Sequence, residues 1–218
     1  MNYSVIWDWN GTLLDDVRVS VQTVNGFLTS RGLKPVTLSY YRNHFTFPVR
    51  DFYEKIGISF SHTGNEFDEM SKQFIKYYFE NLSKAKLHKG VKETLQFLRD
   101  AGIRQFVLSA MEQSRLEKSL KDYGIFSFFE GVQGLDDLYA EGKTEAGKEL
   151  IRKYNIDPSA AWMVGDTLHD LEVAKSLGTR CVLFSGGHYS PKRLHNQKVP
   201  VADNYEKLRK FFRKIISR

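Results

Sequence analysis

Asp8, Asp166 and Asp170 are three carboxylates set where a buried strand gives way to a turn. Val5-Ile6-Trp7 precedes Asp8, and Trp162-Met163-Val164-Gly165 precedes Asp166, with Asp170 four residues on. A carboxylate at such a strand end can act as a covalent nucleophile or hold a metal ion. Several together make a hard oxygen site suited to Mg²⁺. Around the first, the chain reads Asp8-Trp9-Asn10-Gly11-Thr12. Gly11 permits a sharp turn, and the Thr12 hydroxyl with the N–H groups of the turn suits phosphate. Ser109 ends a further apolar run, Phe106-Val107-Leu108, and Ala110 follows it. Lys143, in Gly142-Lys143-Thr144, offers a cation ahead of a helical pattern. The Gly-Lys-Thr triplet is not a nucleotide-binding loop, because Asp137 stands where that loop needs its first glycine. Each signal alone also has a plain structural reading: an Asx-Gly turn, a serine at a strand end, a surface lysine, a helix cap.

The elements that must position these groups follow from apolar spacing. Val17, Val21, Val24 and Leu28 predict a helix closed near Gly32. Pro48 begins a second, with Phe52 and Ile56 on one face, and Phe67, Met70, Phe74, Tyr77 and Leu82 mark a third. Residues 17–86 hold no convincing strand, so this block reads as a helical insertion. From Gly90 the pattern alternates: helix at Val91, Leu95 and Leu98; strand at Phe106-Val107-Leu108; helix at Leu116 and Leu120; a short strand at Gly131 to Gln133. A helix at Ala146, Leu150 and Tyr154, a strand at Trp162-Met163-Val164, a helix at Leu171, Ala174 and Leu177, and a last core strand from Arg180 to Phe184 complete it. Alternating units predict an α/β fold with a doubly wound parallel sheet. Right-handed crossovers bring the strand C-termini, and with them the candidate residues, to one edge.

The 218 residues are 41% hydrophobic and 27% charged, enough for one substantial core and a small insertion. No apolar run is long enough to span a bilayer, and no basic segment precedes an apolar one at the N-terminus, so a cytoplasmic protein is expected. The single cysteine, Cys181, excludes an intrachain disulfide and reads as core. The net charge of +6 raises the question of nucleic-acid binding. Much of it sits in the last stretch, where Tyr205, Leu208, Phe212 and Ile215 recur at helical spacing. An amphipathic terminal helix with a solvated basic face is the simpler reading, and no nucleic-acid or membrane partner is expected.

In order and in context, the strand-end residues resemble the four motifs of the haloacid dehalogenase superfamily, most of whose members are phosphatases. The first motif is Asp8 to Thr12, the second Ser109, the third Lys143, and the fourth Gly165-Asp166 with Asp170. The resemblance extends to Gly90, to the loop Ser185-Gly186-Gly187 and to Ala202-Asp203, and the helical insertion resembles the small cap of phosphoglycolate-phosphatase-like members. It implies a Rossmann-like core of residues 1–16 and 87–218 and a helical cap of 17–86. Asp8 is then the nucleophile and Lys143 the cation that neutralises it and the phosphate. Gly11, Thr12, Ser109, Ala110 and Lys143 contact the phosphoryl group, with Arg50 of the cap as a candidate contact for a substrate anion. By the same resemblance Mg²⁺ is held by Asp8, the Asn10 carbonyl and Asp166, with Asp170 supporting it from the outer shell. The implied partner is a small phosphorylated metabolite, and the protein a monomer or homodimer.

One position departs from the family. Asn10 stands where an aspartate normally protonates the leaving group and deprotonates water. An amide does neither, and general acid–base help is worth about 10²–10⁴-fold. Three readings follow: a phosphatase for substrates with a good leaving group, or one that borrows another acid such as Asp15 or Asp16; a weakened member that binds a phospho-ligand or protein; or dehalogenation or phosphonate cleavage. The last fits poorly, because dehalogenases do without the metal site and no cap lysine stands out. Restoring aspartate at position 10 is expected to raise turnover of alkyl phosphates.

Overall fold

A computed structural model describes residues 3–60, 65–135 and 142–217. The first strand, β1 (Ser4–Trp7), is buried along its whole length, as a central strand covered on both faces must be. Its alternation still sorts the core: Val5 and Trp7 join one apolar cluster and Ile6 the other. Around β1 lie β4 (Arg104–Glu112), β5 (Gly131–Leu135), β6 (Ala161–Gly165), β7 (Arg180–Phe184) and β8 (Val201–Ala202), reached after a separate pair, β2 (Leu14–Asp15) and β3 (Lys86–Leu87). The main sheet runs β5-β4-β1-β6-β7-β8, and every neighbouring pair is parallel. The doubly wound expectation therefore holds. β1 sits where the strand order reverses, the place where open α/β sheets bind ligands.

Three further groups of helices complete the structure. With α1 to α10 numbered along the chain, α5 (Val91–Asp100), α6 (Gln113–Asp122) and α10 (Tyr205–Ile216) supply Leu95, Leu98, Leu116, Leu120, Leu208 and Phe212 to one face of the sheet. On the other, α7 (Lys143–Tyr154) and α8 (Leu168–Leu177) supply Ala146, Leu150, Leu171, Ala174 and Leu177. The basic tail is thus the amphipathic helix its spacing predicts. Cys181 is buried, and burial pushes its thiol up to about 12.

The stretch between β2 and β3 is largely helical among its described residues. α1 (Val17–Ser30), α2 (Leu38–His44), α3 (Val49–Lys55) and α4 (Glu66–Asn81) close on their own apolar cluster, which includes Val24, Tyr41, Phe52 and Met70. The chain leaves for these helices through β2 and returns through β3, and the two pair antiparallel, Leu14 with Leu87 and Asp15 with Lys86. These strands, α2, the short α9 (Pro191–His195) and β8 are not marked by the apolar spacing. Two residues cannot show an alternation, and α2 buries only Tyr41. No helix among the described residues is long and apolar enough to cross a membrane.

Candidate active site

Asp8 follows directly on β1, and its backbone N–H donates to the Val164 carbonyl of β6 at 2.9 Å, which fixes the strand end. Asp166 follows directly on β6. Asp170 lies in the first turn of α8, capped by Thr167: the Thr167 hydroxyl and N–H donate to the Asp170 carboxylate at 2.7 and 3.0 Å. The three carboxylates are buried, and one oxygen from each lies within 4.8 Å of the others. Lys143, the first residue of α7 and also buried, donates to Asp8 at 2.6 Å and to Asp170 at 2.7 Å. Four residues separated by up to 162 positions meet at one sheet edge, as the strand–helix pattern requires.

The electrostatics divide this group. Burial pushes Asp8 up to about 6, against the pull of Lys143 and with a push from Asp170. Burial pushes Asp166 up to about 8; the His188 charge opposes, and Asp8 and Asp170 add to the rise. Burial also acts on Asp170, but Lys143 and the Thr167 hydrogen bond hold its carboxyl below the usual range. Burial would lower Lys143, yet Asp170 and Asp8 keep its ammonium firmly protonated. Asp8 and Asp166 are thus left short of positive charge, and a divalent cation is what three converging carboxylates supply a place for.

Glycines make the close approach possible. A Cβ on Gly11 (φ +74°) or on Gly187 would collide with the Asp166 carboxylate, and one on Gly165 with Asp170.

The phosphate donors expected from the first turn are otherwise engaged. Thr12 is fully buried, and its hydroxyl donates to Asp166 at 3.0 Å. The Gly11 N–H donates to Asp16 at 2.7 Å. Both residues brace carboxylates and do not stand free in the turn. Ser109 lies within β4 and not past its end, in the stretch where the register against β5 shifts. Ser109 and Ala110 line the cavity above Asp8, and the Ser109 hydroxyl accepts from the Met111 N–H at 3.1 Å. Arg50 lines the same cavity from α3, but it pairs with Glu54 at 3.1 Å and lies over the rings of Phe60 and Phe67. Its nearest charge is thus satisfied within its own helix.

Asn10 sits in a network that sequence reasoning did not find. Its side-chain NH₂ donates to Asp16 at 3.0 Å and to the Tyr78 hydroxyl at 2.7 Å, and Tyr78 in turn donates to Asp16 at 2.7 Å. Burial alone would raise Asp16, yet the His188 charge and hydrogen bonds from His188, Tyr78 and Asn10 hold it below the usual range. An ionised carboxylate only accepts, so the amide must present its NH₂ to it. Of the two candidate substitutes for the missing acid, Asp16 is in the site, and Asp15 is exposed on β2. His188, just past the Gly186-Gly187 pair, brackets the network: its Nε2 lies 3.4 Å from Asp16, its Nδ1 is 3.0 Å from the Tyr41 hydroxyl, and its backbone N–H donates to Asp166 at 2.5 Å. Burial would lower His188, but Asp16, then Asp166 and Asp8, carry it up to about 9. The position of His188 after a strand-end glycine pair was the available signal. Tyr41 and Tyr78 gave none, since helical tyrosines on an apolar face read as packing.

Residues 5–184 match the haloacid dehalogenase-like hydrolase family, and the chain belongs to it. It is 25% identical over 189 residues to phosphoglycolate phosphatase 1 of Pseudomonas aeruginosa, covering 84% of this chain and 70% of that protein. It is 24% identical over 184 residues to a phosphoglycolate phosphatase of Synechococcus elongatus, covering 84% of each. A haloacid dehalogenase-like hydrolase from Streptococcus pneumoniae superposes with a TM-score of 0.81 at 17% identity, over 97% of this chain and 98% of that one. The chain is therefore a phosphoglycolate-phosphatase-like enzyme of this hydrolase family.

Proposed function

We propose that the chain is a Mg²⁺-dependent phosphatase that hydrolyses a small phosphate ester or acyl phosphate through an aspartyl phosphate on Asp8. The observation that carries this is the convergence of Asp8, Lys143, Asp166 and Asp170 at the edge where β1 and β6 end. Residues 17–86 act as a cap over a core of 1–16 and 87–218. Asp8, Asp166 and Asp170, with the Asn10 carbonyl, are the groups that would hold Mg²⁺. The donor set fits, being all oxygen, buried and too acidic for the one lysine that neutralises it. Mg²⁺ supplies charge neutralisation at the transferring phosphoryl group. Asp8 attacks phosphorus, Lys143 holds Asp8 ionised and in line, and Ser109 offers its hydroxyl to a phosphoryl oxygen. Thr12 and Gly11 keep the carboxylates and the turn in place.

Two measurements test this. Mg²⁺ titration of wild type and Asp166→Ala by calorimetry is expected to show binding only in wild type. Equal affinity in both defeats the metal assignment. Phosphate release from a panel of phosphomonoesters and acyl phosphates, with mass spectrometry of the peptide containing Asp8, tests the chemistry. The second reading, a weakened phospho-ligand binder, is favoured by Asn10 and is the outcome if phosphate binds without turnover of any substrate.

A further inference from the structure

The cavity over Asp8 has a volume of about 830 Å³. That lies at the upper end of the roughly 300–1,000 Å³ that holds a drug-sized ligand, far more than a phosphate on a two-carbon acid fills. Its polar groups come mostly from the sheet edge. Above them stand Phe45, Phe47, Phe67, Phe74 and Ile75 of the helical layer and Met111 of β4. Phe45 and Phe47 meet edge to face at 5.4 Å, and Phe47 lies over His169 at 4.9 Å.

The basic side chains along the described wall are spoken for. Lys143 bonds Asp8 and Asp170, His188 faces Asp16, Arg50 pairs with Glu54, and Arg115 with Glu112 at 3.4 Å. A substrate carrying a carboxylate beside its phosphate would find no unpaired cation among the described residues of this wall to receive it. At the reacting end, the side chain at position 10 is an amide whose NH₂ is tied to Asp16 and Tyr78. It has no proton to give a departing oxygen.

We infer that the substrate is a small aryl phosphate, the phosphate monoester of a hydroxyl on an aromatic ring, with the ring held in the aromatic half of the cavity. This rests on the phosphatase reading above and names its substrate class. An Asp8 oxygen bonds to phosphorus as the bond from phosphorus to the aryl oxygen breaks, and the electron pair leaves on that oxygen. A phenolic oxygen has a pKa of about 10, so it departs as the anion without prior protonation. Water then attacks the aspartyl phosphate. Its oxygen goes to phosphate, Asp8 is regenerated, and its two protons are shared between the released phosphate and the phenolate. Apolar packing and ring contacts in the cavity supply the recognition.

The experiment uses the purified full chain with Mg²⁺ and compares 1-naphthyl phosphate, phenyl phosphate, benzyl phosphate, 2-phosphoglycolate, acetyl phosphate and a phosphotyrosyl peptide. Benzyl phosphate keeps the ring but leaves through an alkyl oxygen, which separates ring binding from leaving-group chemistry. Expected is a kcat/KM for 1-naphthyl phosphate at least about 10²-fold above benzyl phosphate, and above phosphoglycolate by more. In Phe47→Ala and Ile75→Ala, the ratio of 1-naphthyl to acetyl phosphate should fall about tenfold, with thermal melting confirming that each folds. Equal rates for naphthyl and benzyl phosphate, or a preference for phosphoglycolate, overturn the inference while the phosphatase reading stands. Faster turnover of the peptide than of naphthyl phosphate overturns the small-molecule source. If no compound, acetyl phosphate included, releases phosphate or adds mass at Asp8, the phosphatase reading fails and the inference with it.

Discussion

The two walls of the cavity are built by different means. On the sheet side, Asp8, Lys143, Asp166 and Asp170 are fixed by strand ends, a helix start and a capped first turn, each an element whose own sequence places it. On the helical side, Asn10 is held by Asp16 and by Tyr78, which arrives from α4 along the chain's excursion through β2 and β3. The first wall concentrates charge that its one lysine does not balance. The second neutralises itself, with each N–H and carboxylate matched to a partner within the protein. The lesson is that the departure at position 10 is not a gap in the catalytic wall. It belongs to a second network that suits an amide.

The largest expected effect breaks the first wall. Asp8→Asn should lower phosphate release by roughly 10⁴–10⁶-fold and abolish the mass gain at that peptide. Retained turnover would show that another residue is the nucleophile.

The next prediction sharpens the contrast at position 10. Asn10→Asp alone sets a second carboxylate about where Asn10 now donates to Asp16 at 3.0 Å. It should not speed alkyl phosphate turnover, and it should lower stability by about 1–3 kcal/mol, as lost charged hydrogen bonds do. At about 2–4 °C per kcal/mol for a chain of this size, a melting curve resolves that. Adding Asp16→Asn returns a donor to the network, and the double variant should gain up to about 10²-fold on alkyl phosphates. A fast single variant would mean that the network does not constrain this side chain.

A third prediction concerns charge on the sheet side. Mg²⁺ must displace the protons that burial and neighbouring carboxylates keep on Asp8, up to about 6, and on Asp166, up to about 8. Both pKa values are raised, so protons compete below them and the metal binds more readily above. The rise in melting temperature on adding Mg²⁺ should therefore be largest near pH 8.5, shrink as pH falls through 8, and shrink further through 6. A shift independent of pH would remove these two carboxylates from the metal site. The smallest effect is on the helical side. Tyr78→Phe removes a hydroxyl that both accepts from Asn10 and donates to Asp16, and should cost about 1–2 kcal/mol of stability. An unchanged melting temperature would show that α4 is not fastened to the turn through this group.

The contrast also explains what the sequence could disclose. Asp8 and Asp166 follow apolar runs, and Lys143 opens a periodic helix, so one-dimensional pattern suffices to place them. Tyr78 and Asp16 are 62 positions apart and His188 lies 172 beyond Asp16. Their meeting depends on how α4 and the loop after β7 pack, which no local periodicity encodes. Ser109 fell inside its strand because β4 runs on to Glu112 past the apolar run that announced it. α2 carried a sign that spacing overlooked, since the Thr37 side chain accepts from the Tyr40 N–H as its N-cap. The types of Gly11 and Thr12 permit them to act as phosphate donors. Which acceptor takes their hydrogens is decided by how the turn folds back on Asp16 and by Asp166, 154 positions beyond Thr12.

The seat of Asn10 has a consequence for how the protein ages. An asparagine followed by glycine ordinarily loses ammonia when the glycine nitrogen attacks the side-chain carbonyl carbon and closes a five-membered succinimide. In the fold, the Gly11 nitrogen points its hydrogen at Asp16, and the Asn10 amide is pinned to Asp16 and Tyr78. Ring closure would require both bonds to the same carboxylate to be given up at once. The product would also leave a new anion against Asp16. The native state therefore shields the Asn10 side-chain amide, and the lesion becomes a chemical record of how long each molecule has spent unfolded at this turn.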